Sequence, residues 1–132
     1  MVLDSSAIIA IAFDEPERAV FVRLIEADDR PLVSVVSYYE AAIVAARKAR
    51  TERAARATDA FLQSIGAEIV PLDIEGSLQA RAAYFRFGRG YHSAGLNFAD
   101  CFSYALAKAR DDTLLFKGDD FLKTDIRPAW RP

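Results

Sequence analysis

The chain is poor in the residues that build the commonest metal centres and covalent catalytic sites. Its 132 residues include one cysteine, Cys101, and one histidine, His92. A single cysteine excludes an internal disulfide and a cysteine-based zinc site. A single histidine argues against a histidine-rich metal centre and against a Ser-His-Asp triad. Catalytic chemistry, if present, must therefore come from other side chains.

Long apolar runs and a strong net charge are also missing. No stretch approaches the ~20 consecutive apolar residues of a membrane-spanning helix, and no basic segment precedes an apolar one at the N-terminus. We therefore expect a cytoplasmic protein that does not contact a membrane. The formal net charge is −2, so nucleic-acid binding would have to come from local basic patches rather than from a global field.

What the chain does have is an alternation of strand-like and helix-like segments. Hydrophobic residues make up 52% and charged residues 27%, which is typical of a globular protein and, at this length, of a single domain over 1–132. Short apolar runs at 1–3, 32–36, 67–71 and 113–116 are separated by amphipathic helical segments. This order predicts an α/β fold, a three-layer α/β/α sandwich around a mostly parallel sheet of four to five strands. A fifth, short edge strand is expected near Ile126.

Local patterns also predict where helices begin and which faces they bury. Ser37–Glu40 has the Ser-x-x-Glu spacing of a capping box, so a helix is expected to begin there. Asn97 is a suitable N-cap for a further helix, and Asp100 then lies where a carboxylate suits the positive end of the helix. The helix expected over 73–87 should turn three side chains towards the core: Leu78, Ala82 and Phe85.

Four carboxylates are expected at one edge of the predicted sheet. Two of them, Asp4 and Asp119, follow strands. The other two, Glu40 and Asp100, open helices that must begin at the carboxyl edge that the parallel strands share. Each one alone also has a structural explanation as a helix cap, a capping-box member or a turn residue. Two carboxylates ~4 Å apart repel by about 4 kcal/mol at an effective dielectric constant near 20. A cluster of four therefore requires a neutralising cation.

The chemistry of this cluster favours a metal-dependent hydrolase. Oxygen ligands without usable histidine or cysteine select Mg²⁺ or Mn²⁺. Such ions activate water and stabilise charge on a phosphodiester, as in metal-dependent nucleases. No glycine-rich phosphate-binding loop follows the first strand, which argues against a nucleoside triphosphatase or a dinucleotide enzyme.

Four short motifs carry a resemblance to a known family. They are Val2–Ala7, Ser37–Glu40, Leu96–Cys101 and Gly118–Phe121, and they occur in this order over nearly the whole chain. In these motifs the chain resembles PIN-domain proteins, specifically the VapC-type toxin ribonucleases of bacterial type II toxin–antitoxin modules. The resemblance implies a Mg²⁺-dependent endoribonuclease that hydrolyses RNA through an acidic quartet made of the same four residues: Asp4, Glu40, Asp100 and Asp119.

The resemblance also implies finer roles. It makes Asp4 and Asp100 the principal ligands of Mg²⁺, or of Mn²⁺ as a substitute. Glu40 and Asp119 would support them. Two polar residues would assist these acids: Ser6 and Asn97. Lys117 stands where the family often has threonine or serine, which bears on hydrogen bonding around the acids. The expected partners are RNA, a second copy of the chain, and a small antitoxin whose C-terminal segment lies across the active-site groove.

Several alternatives remain open. A basic segment could follow an RNA backbone or could simply be a solvated helix face: Arg47, Arg50 and Arg53. The chain could also be a PIN-type nuclease in general RNA processing, or a catalytically inert scaffold that binds RNA or a partner. A phosphoacceptor receiver domain normally has an adjacent acidic pair after its first strand. Here Asp4 is followed by Ser5, which argues against that class.

Overall fold

The computed structural model describes residues 1–131. Its strands and helices follow in the order β1 (Val2–Leu3), α1 (Ser5–Ala12), α2 (Arg18–Glu26), β2 (Leu32–Ser34), α3 (Val35–Ala49), α4 (Arg53–Ser64), β3 (Glu68–Val70), α5 (Ile74–Phe87), α6 (Asp100–Ala109) and β4 (Leu114–Leu115). A short 3₁₀ helix, Phe121–Lys123, follows β4. None of the helices in residues 1–131 has the length and apolar character needed to cross a membrane.

The four strands form one parallel sheet in the order β3-β2-β1-β4. Val2 pairs with Leu32 on one side of β1 and with Leu114 on the other. Leu114 also forms a parallel bridge with Pro128, which extends the sheet beyond β4 close to the edge strand expected near Ile126. The predicted parallel α/β fold is therefore confirmed.

Alternating side chains of the short strands enter two separate cores. One core, covered by α5 and α6, contains one residue from each of three strands: Val2, Leu32 and Leu114. The other contains the next residue of each strand and is covered by α1 to α4: Leu3, Val33 and Leu115. Because neighbouring residues of a strand point to opposite faces, a two-residue strand is enough to join both cores. The result is the predicted three-layer arrangement.

The start of α3 differs from the prediction. The capping box expected at Ser37–Glu40 is wrong, because β2 ends at Ser34 and α3 begins at Val35. Ser34 still has extended backbone angles, and its hydroxyl accepts the main-chain N–H of Ser37 at 3.0 Å, as an N-cap does. Glu40 consequently lies in the second turn of α3, where it has no capping role.

The buried face of α5 also differs from the prediction. The prediction that three residues of this helix face the core is wrong, because all three are exposed: Leu78, Ala82 and Phe85. Leu78 and Phe85 are 42% and 58% exposed, whereas Ala80, Ala83 and Phe87 are buried. The alanines face α6 across a close helix contact, and small side chains permit this close approach. Larger apolar side chains therefore remain on the outer surface.

Candidate active site

Asp4 is the first residue after β1, at the point where the chain turns into α1. Because β2 and β4 flank β1 and the chain connections on its two sides run in different directions, this part of the carboxyl edge is where open parallel sheets form a ligand-binding crevice. Asp4 is 2% exposed. Its Oδ2 accepts the main-chain N–H and the hydroxyl of Ser6 at 2.9 and 2.5 Å, and its Oδ1 accepts the hydroxyl of Ser103 at 2.7 Å. Three of roughly four acceptor positions are thus used, which leaves room for another ligand.

Glu40 approaches Asp4 from α3. Its Oε2 accepts the hydroxyl of Ser5, the neighbour of Asp4 in the chain, at 2.6 Å. Burial raises the pKa of Glu40 and the charge of Asp4 raises it further, while the hydrogen bond from Ser5 acts in the opposite direction. Since Glu40 does not cap α3, helix formation alone does not account for this half-buried carboxylate.

Asp100 is held by reciprocal hydrogen bonds with Asn97. Asn97 Oδ1 accepts the N–H groups of Ala99 and Asp100 at 2.7 and 3.0 Å. Asp100 Oδ2 in turn accepts the Asn97 N–H at 2.7 Å. Asn97 therefore caps the turn that leads into α6, as expected, although the regular helix begins three residues later at Asp100. The same contacts fix the orientation of the Asp100 carboxylate.

The electrostatics of Asp100 place it in one group with the other acids. Burial, followed by the negative charge of Asp4 and then those of Glu40 and Asp120, raises the pKa of Asp100 to about 7. The hydrogen bond from Asn97 lowers it by a smaller amount. Asp4, Glu40 and Asp100 thus meet at the carboxyl edge of the sheet, although they are far apart in the sequence.

The acidic turn after β4 contributes differently from the prediction. Both of its aspartates are exposed. Asp120, which the sequence reasoning did not select, acts on the pKa of Asp100. Asp119 lines a surface depression together with Lys117 and Trp130. The role of Asp119 in an acidic quartet therefore stays a prediction, and Asp120 is added as a candidate.

Lys117 supports Asp4 through its main chain rather than its side chain. Its backbone N–H donates to the Ser6 hydroxyl at 3.0 Å, and this hydroxyl donates to Asp4. Its Nζ instead lies 2.8 Å from a carboxylate oxygen of Glu15 and 2.9 Å from one of Glu17. A main-chain donor does not depend on residue type. Lysine at this position therefore leaves the hydrogen bonding around Asp4 in place.

The acids could bind a hard divalent cation at an open site, in which water completes the coordination of the ion. Among residues 1–131, no three acidic, histidine or cysteine side chains already surround one point at metal-ligand distances. Mg²⁺ is commonly held by one or two carboxylates and keeps several waters, so it does not need a closed protein cage. The oxygen-only donors and the mutual repulsion around Asp100 suit such an ion. Asp4 and Asp100, whose carboxylates are each held by hydrogen bonds, are the candidate ligands.

The predicted RNA-binding arginines lie away from this crevice. All three are exposed, at the end of α3 and the start of α4: Arg47, Arg50 and Arg53. With a rise of 1.5 Å per residue, Arg47 is about 10 Å beyond Glu40 along α3. Their contact with RNA stays a prediction.

Sequence reasoning missed three hydroxyls that organise the crevice. Ser5 binds Glu40, Ser103 binds Asp4, and Ser37 binds Ser103. Ser103 is separated from Asp4 by 99 positions, so no local pattern connects the two residues. Only the packing of α6 beside β1 brings them together. Their discovery therefore required the fold.

Comparisons with known proteins identify the family of this chain. A family model described as PIN domain matches residues 1–127. Ribonuclease VapC30 of Mycobacterium tuberculosis is 44% identical over 132 residues, which cover 100% of both chains. Ribonuclease VapC of Mycolicibacterium smegmatis is 42% identical over 126 residues, which cover 96% of this chain and 97% of that protein.

Solved structures with a similar fold have much lower sequence identity. The crystal structure of Mycobacterium tuberculosis VapC20, described as a sarcin-ricin loop cleaving toxin, matches 96% of this chain and 98% of that one. Its TM-score is 0.75 and its identity 18%. A toxin–antitoxin complex from Klebsiella pneumoniae matches 99% of this chain and 98% of that one, with a TM-score of 0.69 and 16% identity. At these identities the likeness supports the fold.

Proposed function

This chain belongs to the PIN-domain family, and we propose that it is a VapC-type ribonuclease, a metal-dependent endoribonuclease that acts as the toxin of a type II toxin–antitoxin module. The observation that carries the proposal is the meeting of three carboxylates at the carboxyl edge of the sheet, where burial and their like charges raise the pKa of Asp100 to about 7. Structural acids are normally paired with cations, whereas these face one another. Its proposed substrate is cellular RNA, and its proposed location is the cytoplasm.

The proposed metal ligands are Asp4 and Asp100, with support from Glu40 and the acidic turn. Mg²⁺ is the proposed ion and Mn²⁺ a substitute, because both prefer oxygen ligands. When bound, the ion supplies an acidified water and a positive charge beside the scissile phosphate. In the acidic turn, Asp119 is proposed from the family resemblance and Asp120 from its effect on Asp100.

The chain's own residues orient the acids and can accept a proton. Ser6 and Ser103 hold both oxygens of Asp4, and Asn97 holds Asp100. The raised pKa of Glu40 makes its carboxylate a stronger base than an ordinary glutamate, and we propose that it accepts the proton of the attacking water. Its hydrogen bond from Ser5 holds the group beside Asp4, the neighbour of Ser5 in the chain.

We also propose a homodimer and a small antitoxin partner. Two exposed apolar stripes offer surfaces for protein contacts: Val35, Tyr39 and Ile43 on α3, and Leu72, Ile74, Leu78 and Phe85 on and before α5. Contiguous exposed apolar surface of this kind is characteristic of interaction sites. Light scattering of the purified chain tests the dimer, and co-purification with a small protein encoded beside its gene tests the antitoxin.

The basic segment is proposed to contact the RNA backbone. Replacing Arg47, Arg50 and Arg53 together by alanine should weaken RNA binding and reduce its salt dependence, with a slope change of up to roughly 2–3 units. Binding measured at several salt concentrations, with a matched exposed control, Arg23→Ala, checks this expectation. An unchanged slope would make the segment a solvated helix face.

The function is tested by incubating the purified chain with end-labelled RNA. Cleavage should require Mg²⁺ or Mn²⁺ and stop in excess EDTA, and Mg²⁺ should raise the melting temperature because it binds the folded state. Specific cleavage that persists in chelator contradicts the metal-dependent reaction. RNA binding without cleavage under any metal condition would favour the inert scaffold.

The toxin role is tested in cells. Induction should arrest growth, and co-expression of the proposed antitoxin should reverse the arrest. Sequencing of RNA ends after brief induction, with Asp100→Asn as the control, should identify the cleaved RNA. Cleavage without growth arrest, confined to precursor RNAs, would favour general RNA processing instead.

A further inference from the structure

A chain of buried hydroxyls leads from the end of β2 to Asp4. Ser34 Oγ lies 2.7 Å from Ser37 Oγ, and Ser37 Oγ lies 2.8 Å from Ser103 Oγ. Ser103 then donates to Asp4 Oδ1 at 2.7 Å. The side chains come from β2, α3 and α6, and all three serines are buried, with Ser37 and Ser103 fully inaccessible. The chain thus crosses the interior rather than the protein surface.

The direction of every hydrogen bond in this chain is fixed by its last member. An ionised carboxylate can only accept, so the single proton of Ser103 goes to Asp4. Ser103 must then accept from Ser37, and Ser37 must accept from Ser34. The oxygen of Ser34 is satisfied by the main-chain N–H of Ser37 at 3.0 Å. All three hydroxyl protons therefore point towards Asp4.

Such a chain restrains the Asp4 carboxylate on the side that Ser6 does not reach. Ser6 holds Oδ2 through its N–H and hydroxyl, and Ser103 holds Oδ1. Polarised hydrogen bonds strengthen one another by about 10–30% per bond. A carboxylate held at both oxygens cannot rotate to relieve repulsion from the neighbouring acids. The Asp4 carboxylate is therefore held in one orientation.

We propose that Ser103, backed by Ser37 and Ser34, is a positioning residue that holds Asp4 ready to bind the divalent cation. The proposal rests on the metal site proposed above and adds residues that touch neither the metal nor the RNA. It differs from a purely structural tie between α3 and α6, because such a tie would affect stability without affecting metal affinity.

Mn²⁺ titration of the purified chain by calorimetry tests the proposal without measuring cleavage. Ser103→Ala should weaken Mn²⁺ binding about 10–100-fold, the effect typical of losing a partner that orients a metal ligand. Ser103→Cys keeps a similar size but offers only a weak donor, so it should also weaken binding. Mn²⁺ affinity equal to wild type in Ser103→Cys would assign the effect of Ser103→Ala to packing and overturn the proposal.

Thr58→Val is the matched control for loss of a buried hydroxyl. Thr58 is 2% exposed and donates to the main-chain carbonyl of Ala54 within α4. Valine preserves its shape, so the variant changes a buried hydroxyl in a helix that contributes no acid to the crevice. Its melting temperature can fall, but its Mn²⁺ affinity should remain that of wild type. A comparable loss of affinity in this control would mean that general destabilisation explains the serine variants.

A double-mutant cycle tests whether the serines act as one chain. Ser34→Ala should weaken Mn²⁺ binding a few-fold when Ser103 is present and should have no further effect in Ser103→Ala, because its connection to Asp4 is then already broken. Equal effects of Ser34→Ala in both backgrounds would show that Ser34 acts only as the N-cap of α3. That result would overturn the proposal that the three serines act together on Asp4.

The two possible failures are distinguishable. A wild-type chain that binds no Mn²⁺ and cleaves no RNA overturns the proposed metal site, and the positioning role falls with it. Wild-type binding and cleavage, with unchanged Mn²⁺ affinity in both Ser103→Ala and Ser103→Cys, overturn the positioning role alone.

Discussion

Two of the groups of partly buried carboxylates in residues 1–131 differ in their neighbours. In the first, Lys117 lies 2.8 and 2.9 Å from Glu15 and Glu17, and Lys48 lies 2.6 Å from Glu15. Hydrogen bonds from Lys117 and then Lys48 lower the pKa of Glu15, and Lys117 lowers that of Glu17. These acids stabilise the junction between the loop before α2, the end of α3 and the segment after β4.

The second group, in the crevice, has hydroxyl and main-chain donors where the first has lysines. Asp4, Glu40 and Asp100 are held by serines and by Asn97, and burial and the charges of other acids raise the pKa of Asp100 to about 7. Donors orient a carboxylate but do not neutralise it. The acids of the first group, paired with lysines, stabilise the fold. The acids of the second group repel one another and are held together by the fold, as expected for a cation site.

The largest expected difference between the two groups is in cleavage. Asp100→Asn should reduce RNA cleavage by more than about 100-fold, since removing a metal ligand should exceed the 10–100-fold effect of removing an outer partner. Glu15→Gln makes the same chemical change in the paired group and should leave cleavage within a few-fold of wild type. Rates on one RNA at saturating Mg²⁺ check both variants. Asp100→Asn with normal activity would reduce Asp100 to a helix-cap residue.

The second expected difference is in stability without metal: the variants of the two groups should change the free energy of unfolding in opposite directions. At pH 7.5 in EDTA, Asp100→Asn should raise it by about 1–2 kcal/mol, because repulsion is relieved and water in the open crevice screens part of the effect. The helix-end contribution of the lost charge, about 0.3–1 kcal/mol, acts in the opposite direction. Glu15→Gln should lower it by about 0.5–1 kcal/mol, because two ion pairs are lost. Urea titrations measure both values, and equal signs would remove the distinction.

The sequence was sufficient to predict the fold class and the proximity of Asp4, Glu40 and Asp100, because each depends on local order along the chain. The role of these acids as metal ligands stays a prediction. Alternating apolar strands and amphipathic helices predict a parallel sheet. The end of the first strand locates Asp4 at its carboxyl edge, and the start of the helix before the last strand locates Asp100 there. The capping box at Ser37 failed because Ser34, which the prediction placed inside a strand, is a competing cap. Glu40 was nevertheless located correctly, since it lies on the same helix.

Other features depend on tertiary packing and could not be predicted from sequence. The inner face of α5 is set by close contact with α6, which favours Ala80 and Ala83 over larger apolar residues. The contact between Ser103 and Asp4 depends on how α6 lies beside β1. Two adjacent aspartates in a turn are equivalent by pattern, and only the backbone path brings the charge of Asp120 to Asp100.

The pH dependence of stability should also separate the two groups. The pKa of Asp100 is raised to about 7 in the folded state, so the folded chain binds its proton more tightly than the unfolded chain. Without metal, stability should therefore fall as the pH rises from about 4 to 7 and then level off. The lowered pKa of Glu15 gives the opposite trend, with stability lost as the pH falls below the ordinary range of glutamate. Melting curves from pH 4 to 8 in EDTA measure these trends.

Asp100→Asn is the matched variant for the pH experiment. It should remove most of the decline between pH 5 and 7, whereas Glu15→Gln should retain it. Saturating Mg²⁺ should also flatten the wild-type curve, because the ion favours the ionised carboxylate. A wild-type curve without metal that rises steadily from pH 5 to 7 would contradict the raised pKa of Asp100.

The smallest expected effect concerns which aspartate of the acidic turn belongs with the second group, the acids of the crevice. The charge of Asp120 contributes to the raised pKa of Asp100, after those of Asp4 and Glu40. Asp120→Asn should therefore lower the pKa of Asp100 by a few tenths of a unit, since an exposed charge is strongly screened. Asp119→Asn should leave it unchanged, because Asp119 lines the depression beside Lys117 and Trp130. Carbon-13 titration of the Asp100 carboxyl resonance, without metal and at low salt, measures both shifts. A larger shift from Asp119→Asn would place Asp119 in the crevice and reverse the assignment of the turn.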